Sequence, residues 1–242
     1  MAVFAQPPSL NFHHLTTSEG LSDPAVKCIT QDKYGYIWLG TQTGLNRFNG
    51  YDVKIFQHKN KDSFSLDNNN VISLFADIDG DIWIGLPLGL SRYDYRTGHF
   101  VVQRSSAGYV AIKMLQADKN NIYVGTIKGL ALLNKSSGSL TFLHTLIKDE
   151  SRALLRQPVN DFCIGHEGTV YITTDTGLVV YDPAKITARK IILGPVKNNS
   201  VNRIVLDKSN LWISYEENSM LLKTDTGFKV YNIYRQFKND QN

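Results

Sequence analysis

The side chains best equipped for chemistry in this sequence are a few carboxylates, one histidine pair and two cysteines. Asp175, Glu216 and Glu217 fall in short connections between strand-like runs. Two opposed acids, one of them desolvated, could cleave a glycosidic bond. Solvated loop acids are the more ordinary state of such residues. His13 and His14 are adjacent, and neighbouring strand residues point to opposite faces, so the two rings do not readily chelate one metal. Cys28 and Cys163 lie far apart inside apolar runs, as small buried hydrophobes do, with neither ligand spacing nor a disulfide framework. No nucleophile motif, phosphate-cradling glycine loop or zinc spacing occurs. The residues therefore point to a non-catalytic chain with no metal and no cofactor.

Charge and hydropathy exclude further classes. The 26 Lys and Arg nearly balance the 22 Asp and Glu, and no run of like charge gathers the excess into a stripe. A nucleic-acid or membrane-surface partner has no electrostatic footprint here. Apolar stretches are a few residues long, far below the roughly 18 to 20 that cross a bilayer. The opening Met1 to Gln6, MAVFAQ, looks like the small-residue end of a secretory signal, so residues 1–10 are read as a residual leader.

What must position any functional group is a repeat. Val26 to Phe48, VKCITQDKYGYIWLGTQTGLNRF, recurs as Val71 to Tyr93, VISLFADIDGDIWIGLPLGLSRY, with Asp, Gly, Trp, Gly and Gly-Leu at the same offsets. Weaker copies pass through Ile122 to Leu130, Val170 to Leu178 and Leu211 to Ile213. The aromatic anchors Trp38, Trp83, Tyr123, Tyr171 and Trp212 are 45, 40, 48 and 41 residues apart. That period fits a four-stranded propeller blade and not a helical repeat of about 33 or 34 residues. Period-2 alternation bounded by Gly and Asp turns dominates, and no helical stripe persists. The predicted fold is all-β, a β-propeller with five four-stranded blades over residues 11–234 and a polar tail at 235–242. Outer strands are expected at Phe100 to Val102, Leu140 to Leu143, Lys190 to Leu193 and Phe228 to Tyr231, and Asp149 to Gln157 is expected to be a loop in preference to two helical turns. Each anchor should fill the space between its own blade and a neighbour.

The strands do not close a ring. Phe12 to Leu15 reads as the outermost strand of a blade whose inner strands would come from the far end, yet no strands remain after Tyr231. Seven blades would need roughly 300 residues, within the usual four to eight. The five blades are therefore expected to belong to a seven-bladed ring, and their open edges to favour self-association or docking of further blades.

The apolar strand, Asp-x-x-Gly, Ile-Trp-Ile-Gly and Gly-Leu-x-Arg pattern resembles the two-component regulator propeller repeat, most fully in the first two copies. Tyr123 and Asn120 in the third copy, and Ser209 and Asn218 in the fifth, depart from it; only Arg47 and Arg92 keep its basic residue. The resemblance implies the periplasmic sensor region of a hybrid two-component histidine kinase, its parent anchored in the inner membrane and any kinase activity lying in domains outside these residues. It further implies a carbohydrate ligand, an oligosaccharide held by loops at the propeller mouth. Gln42, Asn70, Arg92 and Tyr215 are the candidate contacts, since amide, guanidinium and aromatic groups suit sugar hydroxyls and ring faces. The long polar loop His58 to Asn70 stands beside them. The alternative is a free-standing propeller scaffold for protein–protein interaction.

Overall fold

In the computed structural model, residues 14–103, 112–118, 120–165, 168–193, 201–208, 210–216, 219–224 and 227–232 are described. The leader, His13 of the histidine pair, Glu217 and the polar tail lie outside them. Their twenty strands form five antiparallel sheets, each of four consecutive strands. Blade 1 holds β1 (Cys28–Gln31), β2 (Ile37–Gly40), β3 (Leu45–Phe48) and β4 (Val53–Phe56). Blade 2 holds β5 (Ser73–Ala76), β6 (Ile82–Leu86), β7 (Gly89–Asp94) and β8 (His99–Gln103). Blade 3 holds β9 (Ile112–Ala117), β10 (Asn121–Thr126), β11 (Gly129–Asn134) and β12 (Leu140–Phe142). Blade 4 holds β13 (Asp161–Ile164), β14 (Val170–Thr174), β15 (Gly177–Asp182) and β16 (Thr187–Ile191). Blade 5 holds β17 (Arg203–Asp207), β18 (Asn210–Glu216), β19 (Ser219–Thr224) and β20 (Gly227–Asn232). The innermost strands touch in the order β1, β5, β9, β13, β17, so the blades stand in an arc.

Two sequence expectations shift. The outer strand of blade 4 begins at Thr187, because Asp182 pairs with Thr187 across a tight turn in which Ile186 adopts positive φ. The segment expected to be a loop contains a 3-10 helix, Glu150–Arg156. Asp149 caps it by accepting the Ser151 N–H at 2.8 Å, and Leu155 buries against blades 3 and 4. This helix explains Gly129: a Cβ there would stand 2.0 Å from the Leu155 carbonyl oxygen, and φ is +114°.

The anchors fill interblade space as the repeat demands. Trp38 lies with Leu66, Val71, Ile82 and Tyr93 of blade 2, and Trp83 with Ile122, Val124 and Leu133 of blade 3. Tyr123 packs with Phe162 and Ile172 of blade 4, and half-buried Tyr171 against Ile204 and Ile213 of blade 5. These four anchors therefore face the following blade. Burial of a side chain this large supplies several kcal/mol, of the order lost when a core aromatic is truncated, about 3–5.

Polar contacts fix the blade spacing. The Val71 N–H donates to the Thr41 carbonyl at 2.8 Å, Val159 to Thr126 at 3.0 Å and Val201 to Thr174 at 3.2 Å. Each of those threonine hydroxyls donates to the glycine carbonyl that closes its own hairpin, at 2.9, 2.8 and 3.0 Å. At the other end of the blades, the turn aspartates Asp32 and Asp77 accept the indole N–H of Trp38 at 2.7 Å and of Trp83 at 3.0 Å. The following blade adds a donor to each: Tyr95 Oη to Asp32, and Lys135 Nζ to Asp77 at 2.8 Å.

The described blades leave the two end faces of the arc partly open. Val26 holds the position of Val71, Val159 and Val201 but is 42% exposed where they are 0, 1 and 0%. Ile29 and Ile55, at the two edges of blade 1, are exposed as well. At the far end Trp212 is only half-buried, its ring tilted 52° against Tyr231 with centres 5.4 Å apart, and Val205 beside it is exposed. Leu15 and the residues up to Asp23 form no strand. They fold as a turn against the outer face of blade 1, where Leu21 is buried and Ser22 N donates to Asn46 Oδ1 at 2.8 Å.

Candidate functional site

The β2–β3 type hairpins and the long outer-to-inner connections share one face of the arc, while the aspartate turns lie on the other. Gln42 and Asn70 meet on the first face, because they flank the two residues joined by the Val71–Thr41 hydrogen bond. Gln42 is exposed, and Asn70 Oδ1 accepts Lys27 Nζ at 2.7 Å. Tyr215 belongs to the same level of blade 5 but is buried with Leu193 and Val201. Arg92 sits toward the opposite face, its Nη1 bonded to Asp81 at 2.9 Å and its guanidinium 5.7 Å from the Trp83 ring centre. The four residues thus do not converge on one pocket, and only Gln42 and Asn70 are neighbours.

The carboxylates are placed as follows. Asp175 is exposed and accepts Asn160 Nδ2 at 2.8 Å. The backbone of Glu216 ends β18. Sequence reading missed Asp161, a buried acid in an apolar strand. Its Oδ2 accepts the Ile204 N–H of blade 5 at 3.2 Å and its Oδ1 accepts the Phe162 N–H at 2.8 Å. Burial raises its carboxyl above the ordinary range, and the two N–H groups oppose that rise. Both cysteines are free thiols that burial pushes up to about 12. No group of three or more metal-ligating side chains occurs among the described residues.

The long connection from β4 to β5 has a fixed shape. His58 N donates to Asn69 Oδ1 at 2.6 Å, Lys59 N to Ser65 Oγ at 3.0 Å, and the His58 ring bonds the Leu66 carbonyl at 2.9 Å. Leu66 is buried beneath it, and the Phe64 carbonyl accepts the Phe100 N–H of blade 2 at 2.9 Å. Two cavities adjoin this loop. One of about 320 Å³ opens between the outer strands of blades 1 and 2, beside Lys54, Gln57, Lys59, Asp62, Phe64 and His99. The other, of about 450 Å³, lies between the loop and Val102. Phe64 and His99 were not legible as a pair, since 35 residues separate them. A lone Phe in a polar loop was the available signal.

Comparison with known proteins agrees with this architecture. Residues 20–43 and 65–86 match the family model for the two component regulator propeller. Histidine kinase P4 of Formosa agariphila is 42% identical over 62 residues, which is 26% of this chain and 4% of that kinase. An extracellular domain of a hybrid two-component system of B. thetaiotaomicron superimposes with a TM-score of 0.69 at 22% identity, over 93% of this chain and 36% of that one. Virginiamycin B lyase of Staphylococcus aureus superimposes with a TM-score of 0.66 at 16% identity, over 88% of this chain and 72% of the lyase. The chain thus spans about a third of the sensor domain and a small part of the kinase. No described helix is long and apolar enough to cross a membrane. The five blades make this chain a β-propeller, and two of its segments, residues 20–43 and 65–86, match the two component regulator propeller model.

Proposed function

We propose that this propeller is the ligand-sensing part of a two-component sensor, acting in the periplasm and responding to a carbohydrate. The repeat-family match at residues 20–43 and 65–86 carries this reading, with the kinase relative supporting it. The chain acts by binding and not by catalysis. Asp175, the exposed acid of the catalytic candidates, is held by Asn160 and has no described acid opposed to it, as glycoside cleavage requires. The lyase likeness concerns fold at 16% identity, and fold alone does not carry function.

The sensing unit is a larger ring. Val26 and Trp212 present two halves of an interblade contact that the chain makes repeatedly elsewhere, and blades of the same repeat would bury both. The arc matches 72% of the lyase chain, leaving room for about two more blades of the usual length.

A thermal-shift screen of the whole chain against an oligosaccharide panel tests the sensing role. A ligand at 100 times its Kd adds about 2.7 kcal/mol of stability. A saturable rise in melting temperature with one glycan class is expected. Uniform melting across the panel, together with stabilisation by a captured protein partner, would favour the scaffold reading.

A further inference from the structure

The loop between blades 1 and 2 holds an aromatic side chain in water at a fixed place. Phe64 is 57% exposed although Leu66, two residues on, is fully buried. Its ring stacks on His99 with centres 4.3 Å apart and planes 26° apart, joining the loop to the outer strand of blade 2. Phe64 N donates to Asp62 Oδ1 at 3.0 Å, so the approach to the ring is set by the loop's own hydrogen bonds. Within the same loop Lys61 takes φ of +68°, a conformation that costs a non-glycine residue energy and is kept when the surroundings enforce it. An exposed aromatic on a preorganised loop loses little entropy on binding.

The cavity beside this ring is amphipathic. Phe56 and Phe100 form its apolar side, and Lys54, Gln57, Lys59, Asp62 and His99 its polar rim. Among the described residues Lys54 and Lys59 make no ion pair, Lys54 Nζ standing 5.1 Å from the Phe56 ring centre, whereas one oxygen of Asp62 is already engaged by Phe64 N. Gln57 donates its amide to the Thr43 carbonyl at 2.8 Å, which leaves its side-chain carbonyl to accept from a ligand. A flat apolar face next to free ammonium groups and an amide acceptor suits a sugar ring with an acidic substituent. The ring's C–H face would lie on Phe64, and its carboxylate or sulfate would meet the lysines.

We infer that the groove between the outer strands of blades 1 and 2 is a binding site for an acidic pyranose, stacked on Phe64 and paired with Lys54 and Lys59. This rests on the carbohydrate reading above but places the ligand on the outer rim, away from Gln42 and Asn70 at the inner mouth.

Isothermal titration of the full chain tests it with four probes: heparin-derived oligosaccharides, polygalacturonate-derived oligosaccharides, uncharged dextran-derived oligosaccharides and inorganic sulfate. The first two separate sulfate from carboxylate. At least one acidic class is expected to bind at least tenfold more tightly than dextran or free sulfate. Phe64→Ala should weaken that binding at least tenfold, Lys59→Gln several-fold, and Tyr51→Ala, an exposed aromatic outside the groove, not at all. Unchanged melting temperatures would show that the variants remain folded. Sulfate binding as tightly as the oligosaccharides would overturn the sugar platform. Acidic-glycan binding that survives Phe64→Ala and Lys59→Gln would overturn the site while leaving carbohydrate sensing intact. Silence with every glycan would remove both.

Discussion

Replacing Lys135 with Met should loosen the contact between blades 2 and 3 in a pH-dependent way. Lys135 Nζ lies 2.8 Å from Asp77 Oδ2, and the Asp77 side chain is fully buried while that of Lys135 is 12% exposed. Removing one partner of a buried pair typically costs about 3–5 kcal/mol, because the other charge is left without compensation. Three donors remain on Asp77: Gly80 N at 2.9 Å, Asp81 N at 3.0 Å and Trp83 Nε1 at 3.0 Å. They bring the expected loss to about 2–3 kcal/mol. The Asp79 pair adds little, since its carboxylate is mostly exposed, and Asp79→Asn should cost under about 1 kcal/mol. Burial alone would raise Asp77, but Lys135, Trp83 and the turn N–H groups hold it below the usual carboxylate range. A depressed folded value contributes stability above the unfolded value, near 3.9, that is lost as pH falls through the folded one. Urea unfolding of both proteins should therefore show the full gap at pH 7 and a shrinking gap below about pH 4. The gap should also close above about pH 10.5, where the raised Lys135 loses its proton. A gap under about 1 kcal/mol at neutral pH, or one that ignores pH, would refute the latch.

Three other outcomes are expected. Trp83→Ala should cost about 3–5 kcal/mol and lower the melting temperature, while Trp212→Ala, half-buried and with no following blade among the described residues, should cost less than half as much. Equal losses would mean that Trp212 is covered. Gly129→Ala should cost more than about 3 kcal/mol, because its Cβ meets the Leu155 backbone; Gly50→Ala, at φ +98° in open space, should cost about 1. Chemical denaturation of the pair distinguishes contact from strain. Both thiols should resist alkylation at pH 8 in the native protein and react in denaturant, since burial holds them near 12. Fast native labelling of Cys28 would show that the blade 1–blade 2 contact opens.

The architecture was legible because it repeats. A Trp at a fixed offset from an Asp-x-x-Gly turn needs no structure to be recognised, and all five anchors fall on the second strand of a blade. Blade 4's outer strand was misjudged by three residues because the Ile186 turn carries no glycine. The 3-10 helix at Glu150–Arg156 could not be told from a loop because seven residues hold too little periodicity, and its cap, its buried Leu155 and its docking on Gly129 stabilise it. The site was less legible for a related reason. Gln42 and Asn70 lie next to residues of the repeat and could be brought together by aligning copies. Phe64 and His99 meet through a loop unique to one connection, so no copy predicts the contact.

The interblade latch shows what a repeat-by-repeat reading leaves out. The donors Tyr95 and Lys135 occupy one equivalent position, six residues after the hairpin glycines Gly89 and Gly129. Each serves the aspartate of the preceding blade, Asp32 or Asp77. In blade 4 the same position is Pro183, which has no side-chain donor. Blade 3, the one it faces, has nothing there to satisfy: its anchor is Tyr123, and Asp118 is exposed and occupied by the N–H groups of Asn120 and Asn121. Donor and acceptor are thus present together or absent together at the three described junctions among blades 1 to 4. A buried carboxylate without its donor, or a buried ammonium without its acid, would each be costly, so neither half is stable alone. The unit that folds consistently is therefore the contact between two blades and not the blade. In the larger ring proposed above, Val26 and Trp212 would be half-units that a neighbouring blade completes.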